Sequence, residues 1–352
     1  MNSRERIGLT LQHREPDRVA IQDAPWETTV VRWHKEGLPE NVEPEEYFHY
    51  EMAGFGADTT FRLPEETVEE TDEYIVQRNK NGALLRNWKH ATSTPQMIGF
   101  TITSREDWEE HRPRMAMARD RIDWENDLTR NRKEHEAGRW CAYSAPIGYD
   151  RTQGIVGSVN LLMAMLDDPK WVFDMFEVGI DLNIACAEEM MAGGFKFDGA
   201  FLYDDMGYRN ASLFSPQTYR SLLLPLHKRI CDFFHAAGLP VLLHSCGRVS
   251  ELVPQLIEAG FDGLQPLESK AGMDLIQLKK DYGETLCFMG GIDARAMSNP
   301  DPSVIEQEIK TKIPFAMKGG GYIYHSDHSV PDDVSFEQYK HVIKVVLQYG
   351  TY

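Results

Sequence analysis

The sequence predicts an α/β protein built as a (β/α)8 TIM barrel, a single domain with helical and hairpin additions near its N-terminus. From about residue 139 to the end, short apolar runs alternate with helical patterns, and strands alternating with long helices imply right-handed βαβ units around a parallel sheet. The units are too many for a small open sheet, and no G-x-G-x-x-G follows the first strand, which sets aside a dinucleotide-binding sheet. The 352 residues hold the roughly 250 that a barrel needs and leave room for insertions.

Taken in order, Ser3 to His13 reads as a short amphipathic helix stopped before Pro16, and Arg18 to Ile21 as a first strand. Residues 25–61 mix aromatics, Gly and Pro and read as helices and loops rather than a regular repeat unit. Residues 66–92 alternate around Asn81-Gly82, a hairpin signal whose turn needs positive φ. Residues 105–138 form a long charged helical region. The regular part begins with a strand at Arg139–Tyr143, followed by helices at Val159–Leu166 and Pro169–Met191. A strand at Gly199–Tyr203 comes next, then a helix from Pro216 to Ala237 with Ser215 as N-cap. Strands at Val241–His244, Gly263–Gln265, Leu286–Met289 and Tyr322–Tyr324 alternate with helices at Val249–Ala259, Asp274–Tyr282, Pro302–Met317 and Ser335–Tyr349. No linker or low-complexity tract interrupts the chain. The division is therefore one barrel domain over 1–352, with insertions in 1–138 and regular βα units in 139–352.

A net charge of −18, from 55 acidic against 37 basic residues, disfavours nucleic acid and anionic membranes as partners. No apolar run is long enough to span a bilayer, and the charged N-terminus lacks a signal-peptide core. Five scattered cysteines argue against a disulfide framework and point to a reducing cytoplasm. The Met-rich stretches (Met163, Met165, Met190, Met191) read as core filler. A homodimer is compatible with the sequence, which does not fix the oligomeric state.

The sharpest chemical feature is Val241-Leu-Leu-His-Ser-Cys-Gly-Arg248. An apolar strand ends in His-x-Cys, and residues two apart in a strand share a side, so His244 and Cys246 aim together at the barrel mouth. Imidazole and thiolate at this spacing suit Zn²⁺. Gly319-Gly-Gly-Tyr-Ile-Tyr-His-Ser-Asp-His-Ser-Val-Pro331 also ends a strand, and His325, Asp327 and His328 are all candidates for a third ligand or an acid/base group. In Leu202-Tyr-Asp-Asp-Met-Gly207, Asp204 and Asp205 are candidate catalytic carboxylates. A plainer arrangement has one capping the next segment while the other faces the mouth. Glu268 and Asp293 follow strands as ligands or helix caps. Trp26, Arg32, Trp33 and Tyr143 are candidates to line the substrate pocket.

These motifs resemble the uroporphyrinogen decarboxylase superfamily, which includes the heme-pathway decarboxylase and cobalamin-dependent methyltransferases. The resemblance rests on Arg4-Glu-Arg-Ile-Gly8, His13-Arg-Glu-Pro-Asp-Arg-Val-Ala-Ile21, Phe55-Gly-Ala-Asp58, Asp204-Asp-Met-Gly207, Ser215-Pro216, Leu242-Leu-His-Ser-Cys-Gly247, Gly290-Gly-Ile-Asp293 and Gly320-Gly-Tyr-Ile with His328-Ser-Val-Pro331. It implies a (β/α)8 barrel. In the methyltransferase branch, His-x-Cys supplies two zinc ligands and a later Cys the third; His328 stands at that third place here. The decarboxylases lack His-x-Cys and carry a substrate-contacting His at the place of His328. They also hold their tetrapyrrole's carboxylates with an Arg-rich N-terminal loop, where Ile21 to His34 of this chain offers only Arg32.

The resemblance thus implies a zinc site of His244, Cys246 and His328 with an open fourth position. The reaction it implies moves a methyl group between a small methylated substrate or thiol and a corrinoid carried by a partner protein. Asp204, Asp205 and His325 would handle protons or orient substrate, and Glu268 would contact it. The alternatives are metal-free decarboxylation of a tetrapyrrole or related acid, and a non-catalytic binding protein on the same scaffold.

Overall fold

The computed structural model describes residues 1–90 and 95–352. Its centre is an eight-stranded, wholly parallel sheet. The strands are β1 (Ala20–Ile21), β2 (Met52–Phe55), β7 (Trp140–Pro146), β8 (Gly199–Tyr203), β9 (Val241–His244), β10 (Gly263–Gln265), β11 (Cys287–Met289) and β12 (Tyr322–Tyr324), in the order β1-β12-β11-β10-β9-β8-β7-β2. Glu51 closes the ring between β1 and β2. Its backbone N–H donates to the Ile21 carbonyl at 3.0 Å, and its carboxylate accepts from the Ile21 N–H at 2.8 Å. The Met52 N–H donates to Gln22 Oε1 at 2.9 Å. Arg18 pairs with the same buried carboxylate at 2.7 Å, and Arg6 does so from the opposite oxygen. The N-terminal Arg4–Arg18 motifs therefore serve the barrel seam.

Side-chain parity sorts the strands. Ala20, Met52, Trp140, Ala142, Leu242, Cys287, Met289 and Ile323 fill the barrel interior, joined from below by Ile7 and Leu11 of the helix Ser3–Leu11. The alternate residues, among them Tyr143, Leu202, Val241, Leu243, Leu264 and Phe288, face the helical layer. Burying each such large apolar side chain contributes about 1.5–3 kcal/mol. Because Leu242 points inward, so does His244, one pleat nearer the mouth.

The structure departs from the expected elements in instructive places. Residues 25–61 contain a barrel strand, β2, which Ala53 and Gly54 hide because small residues carry little strand preference. The hairpin at Asn81-Gly82 is real, with Gly82 at φ +80°, but it is half of a four-stranded antiparallel sheet. That sheet comprises β3 (Glu66–Glu70), β4 (Tyr74–Arg78), β5 (Ala83–Trp88) and β6 (Gln96–Phe100). Residues 91 and 92 of the expected hairpin lie outside the described residues. The charged region 105–138 is not one helix: Pro113 interrupts it, leaving Arg105–His111 and Asn126–Glu136 with 3-10 turns between. Pro225 likewise splits the Pro216–Ala237 helix into Pro216–Leu222 and Leu224–Ala236. A helix Gly148–Val156, unseen in the sequence, follows β7. Among the described residues no helix is long and apolar enough to cross a membrane.

Candidate functional site

Five ligand-type side chains gather above the C-terminal ends of β8, β9, β10 and β12. Asp205, His244 and Cys246 form one group whose ligand atoms lie within 4.8 Å of one another, and Cys246, Glu268 and His328 form a second. Cys246 is common to both. Its Sγ stands 3.3 Å from His244 Nε2, which is 3.3 Å from Asp205 Oδ1. His328 Nε2 is 3.8 Å from Glu268 Oε1. The trio expected from sequence is thus spread over both groups, with two carboxylates added.

Backbone contacts hold this geometry. The Gly207 N–H donates to the Cys246 carbonyl at 3.1 Å and the Arg248 N–H to the Tyr208 carbonyl at 2.7 Å, lashing the loop after β8 to the loop after β9. Only glycine fits at 247: φ is +76°, and a Cβ would stand 2.4 Å from the Gly207 carbonyl carbon. The lash brings Asp205 Oδ1 onto the Cys246 N–H at 2.7 Å.

Gln265, which sequence reasoning passed over, orients the imidazoles. His325 Nδ1–H donates to the Ser326 carbonyl at 2.7 Å, leaving Nε2 to accept from the Gln265 amide at 3.3 Å. Gln265 Oε1 then accepts from His244 Nδ1. These assignments follow from the chain of partners, and they turn His244 Nε2 towards Cys246 and Asp205, where it donates to the carboxylate when the ring is charged and presents a lone pair when it is neutral. Asp23 is the second residue missed. Buried beside the cavity, it accepts from Ser326 Oγ at 2.5 Å and Tyr339 OH at 2.9 Å and so anchors the loop bearing His325 and His328. A polar residue at the inward parity of a strand end was the available signal for Gln265.

The local electrostatics follow from crowding. Burial, and then the charges of Asp205 and Glu268, push the Cys246 thiol well above its ordinary value. Burial works against the charge of His244, yet its hydrogen bond to Asp205 and that carboxylate's charge raise it overall. Burial opposes ionisation of Asp205, but His244 and the Cys246 N–H hold it below the usual carboxylate range. His328 is lowered by burial and by Lys270. Asp150, on the neighbouring helix, is pushed up to about 6 by burial and by Asp205. A thiol between two carboxylates stays protonated unless a cation is present, and a bound divalent ion reverses that.

Several expected site residues sit elsewhere. Asp204 is fully buried with the opposite parity to Asp205: its Oδ1 accepts from the Asp150 N–H at 2.7 Å, and its Oδ2 lies 3.1 Å from the buried His227. It braces the loop and does not reach the mouth. Tyr143 points outward from β7 and donates to Asn183 Oδ1 at 2.9 Å. Trp33 is core, stacked on Tyr339 at 4.8 Å. Arg32 pairs with Glu36 at 2.7 Å and donates to the Asp332 carbonyl on the outer surface. Asp293 caps the helix Ala294–Met297, and Asp327 ties the Ala294 and Ser269 N–H groups together. Trp26 does stand at the rim, edge-on to His328 with centroids 6.2 Å apart.

Beneath the cluster lies a cavity of about 280 Å³ with an apolar floor of Met52, Ala142, Phe201 and Met289 and a polar rim that includes Asp23, His244, Gln265, His325 and His328. Among the described residues no Arg or Lys lines it, while an adjoining cavity that includes Cys246 and Glu268 is lined by Arg209 and Lys270.

A family model described as Uroporphyrinogen decarboxylase (URO-D) matches residues 153–349, more than half of the chain. The chain is 29% identical over 177 residues to the methylcobamide:CoM methyltransferase MtaA of Methanosarcina barkeri, covering 47% of this chain and 49% of that protein. It is 30% identical over 108 residues to a methylated-thiol–coenzyme M methyltransferase of Methanosarcina mazei, covering 31% of this chain and 28% of that protein. The chain thus spans about half the length, or less, of the curated relatives it matches. A solved methyltransferase from Methanosarcina mazei superposes with a TM-score of 0.66 at 13% identity, covering 99% of both chains, a likeness of fold.

Proposed function

Because the chain belongs to the uroporphyrinogen decarboxylase family, we propose that it is a zinc-dependent methyltransferase moving a methyl group between a small methylated substrate or thiol and a corrinoid carried by a partner protein. The observation that carries this reading is the place of Cys246 at the junction of two donor groups. Zinc bonds of about 2.0–2.3 Å imply ligand-to-ligand distances of about 3.3–3.8 Å in a tetrahedron. The separations at Cys246–His244 and His328–Glu268 are 3.3 and 3.8 Å. Cys246 would hold the ion with His244 and Asp205 or with His328 and Glu268; the two imidazoles do not fall in one group within 4.8 Å, so the trio of Cys246, His244 and His328 would need the ion to draw them together. The curated relatives, both named as methyltransferases, support the reaction class.

Zinc bound there would supply Lewis acidity that lowers the pKa of a substrate thiol. The protein's own groups do the rest. Gln265 keeps the Nε2 lone pair of His244 aimed at the cluster. Asp205 steadies the Cys246 loop and is the carboxylate placed to take a proton from a bound thiol. His325, between Gln265 and Asp23, relays or orients at the cavity's polar rim. The apolar floor accepts a methyl-sized group and excludes water.

Decarboxylation of a tetrapyrrole is the rival reading. A substrate with several carboxylates would need several cations, and beside the cluster the adjoining cavity of about 520 Å³ offers Arg209 and Lys270. The deciding assay follows the absorbance of methylcobalamin in the presence of a thiol. Zinc-loaded protein should accelerate demethylation, and chelation or Cys246→Ala should abolish the effect. Full activity without metal, or release of CO₂ from uroporphyrinogen, would overturn the proposal.

A further inference from the structure

One polar group in the wall of the 280 Å³ cavity has no part in the cluster above it. Tyr203, His244 and Gln265 stand abreast on β8, β9 and β10. Ser144, on β7, sits one pleat below Tyr203, level with Phe201. Tyr203 shares its inward side with Phe201 and Asp205, and its ring lies 5.4 Å from the imidazole of His244. Ser144 Oγ is buried and makes no well-formed hydrogen bond among the described residues. The polar group it meets is the Tyr203 hydroxyl. Glycine makes room for this contact: a Cβ at Gly54 would stand 2.8 Å from Ser144 Oγ, and one at Gly56 would stand 2.4 Å from the Ser144 carbonyl oxygen.

Burial raises the Tyr203 hydroxyl above its ordinary value, and Ser144 acts in the opposite sense, as a donor to the phenol oxygen does. With Ser144 donating, the Tyr203 O–H is left for the cavity, protonated at neutral pH. Below it lies the apolar floor of Met52, Ala142, Phe201 and Met289, where a methyl group fits. An O–H donor discriminates between heteroatoms, because ether oxygen accepts a hydrogen bond well and thioether sulfur only weakly. We propose that Tyr203, positioned by Ser144, is the hydrogen-bond donor of a subsite for a neutral methyl ether. The inference deepens the methyl-transfer reading and rests on it for the reaction. When the methyl–oxygen bond breaks, its electron pair stays on oxygen. The methyl passes to the cobalt(I) corrinoid of the partner protein, which supplies the pair for the new carbon–cobalt bond. The oxygen takes the Tyr203 proton and leaves as an alcohol, and the phenolate recovers a proton from water. An alkoxide is the stronger base, so this transfer is favourable even from a tyrosine held above its ordinary value.

Calorimetric titration of the full chain with butyl methyl ether and with butyl methyl sulfide, in the absence of corrinoid, tests the subsite. Tyr203→Phe should weaken the ether by about two- to tenfold, the worth of one hydrogen bond, and leave the sulfide unchanged. Ser144→Ala should shift the ratio of the two Kd values in the same direction by less, and serves should Tyr203→Phe misfold. A merely structural role for either residue would weaken both ligands alike and overturn the proposal, as would an ether that does not bind. Demethylation of the ether with cob(I)alamin is then followed on the same proteins. There Tyr203→Phe should lower kcat by about a hundredfold or more, the contribution of a general acid. A wild type that shows the ether-specific loss at position 203 but transfers no methyl keeps the subsite and overturns the methyl-transfer reading. One that transfers methyl with a ligand ratio indifferent to position 203 keeps that reading and overturns this inference.

Discussion

Replacing Gln265 by Leu separates an orienting shell from a coincidental contact. The Gln265 side chain is buried and touches His244 Nδ1 and His325 Nε2. The residue's structural hydrogen bond, the Ser245 N–H to its carbonyl at 2.8 Å, belongs to the backbone and survives substitution. Leu is close to Gln in volume, so no large cavity opens. What disappears is the acceptor that holds the Nδ1–H tautomer of His244 and the ring's orientation. Loss of such a partner of a metal-bound histidine weakens binding about 10–100-fold, or about 1.4–2.8 kcal/mol at 1.4 kcal/mol per decade. Competition of the purified variant against a zinc chelator should therefore show affinity down by one to two decades. Gln265→Glu, which keeps an acceptor at Oε1, should bind near the wild-type level. A Gln265→Leu protein that is folded and binds zinc as wild type does would refute the orienting role and the tautomer chain built on it.

Glu51→Ala removes the carboxylate shared by Arg6, Arg18 and the Ile21 N–H. Breaking a buried pair of this kind costs about 3–5 kcal/mol, so thermal unfolding should shift sharply down, and an unchanged melting temperature would contradict the seam assignment. Trp33→Ala should lose about 3–5 kcal/mol as a core truncation, whereas Trp26→Ala at the rim should leave melting unchanged and alter only the site. Asp150 gives a pH dependence. The native carboxyl holds its proton to about pH 6 while the unfolded one loses it near 3.8, so the native state binds more protons between those values. Stability of chelator-treated protein should fall as pH rises from about 4 to about 6 and stay reduced above that. Asp150→Asn should flatten that part of the melting-temperature profile, and an identical slope in the variant would show the wrong group was assigned.

The regular half of the barrel was legible because each strand is an apolar run bounded by turn residues. β2 escaped because Ala53 and Gly54 carry no strand signal; Gly54, on the same side as Met52, leaves room inside the barrel, while Ala53 faces the helical layer. The site followed parity: His244 and Cys246 share a face, as their spacing requires, and so do Tyr203 and Asp205. The same rule places Asp204 and Tyr143 on the outer side, which the sequence could have shown once the inward face was fixed by Leu242 and Ala142. Trp33 and Arg32 could not be sorted that way. They sit on a helix whose buried stripe is defined by Phe48, Phe336 and Tyr339, and most of that stripe comes from the far end of the chain. Gln265 was hidden because a lone amide at a strand end has no chemistry until the two imidazoles it joins are seen together.

Zinc-edge X-ray absorption of the purified protein reads the cluster itself. The account predicts one sulfur neighbour at about 2.3 Å with nitrogen or oxygen neighbours at about 2.0–2.1 Å, the sulfur vanishing in Cys246→Ala. A zinc shell without sulfur, or a fully active protein that holds no metal, would contradict it.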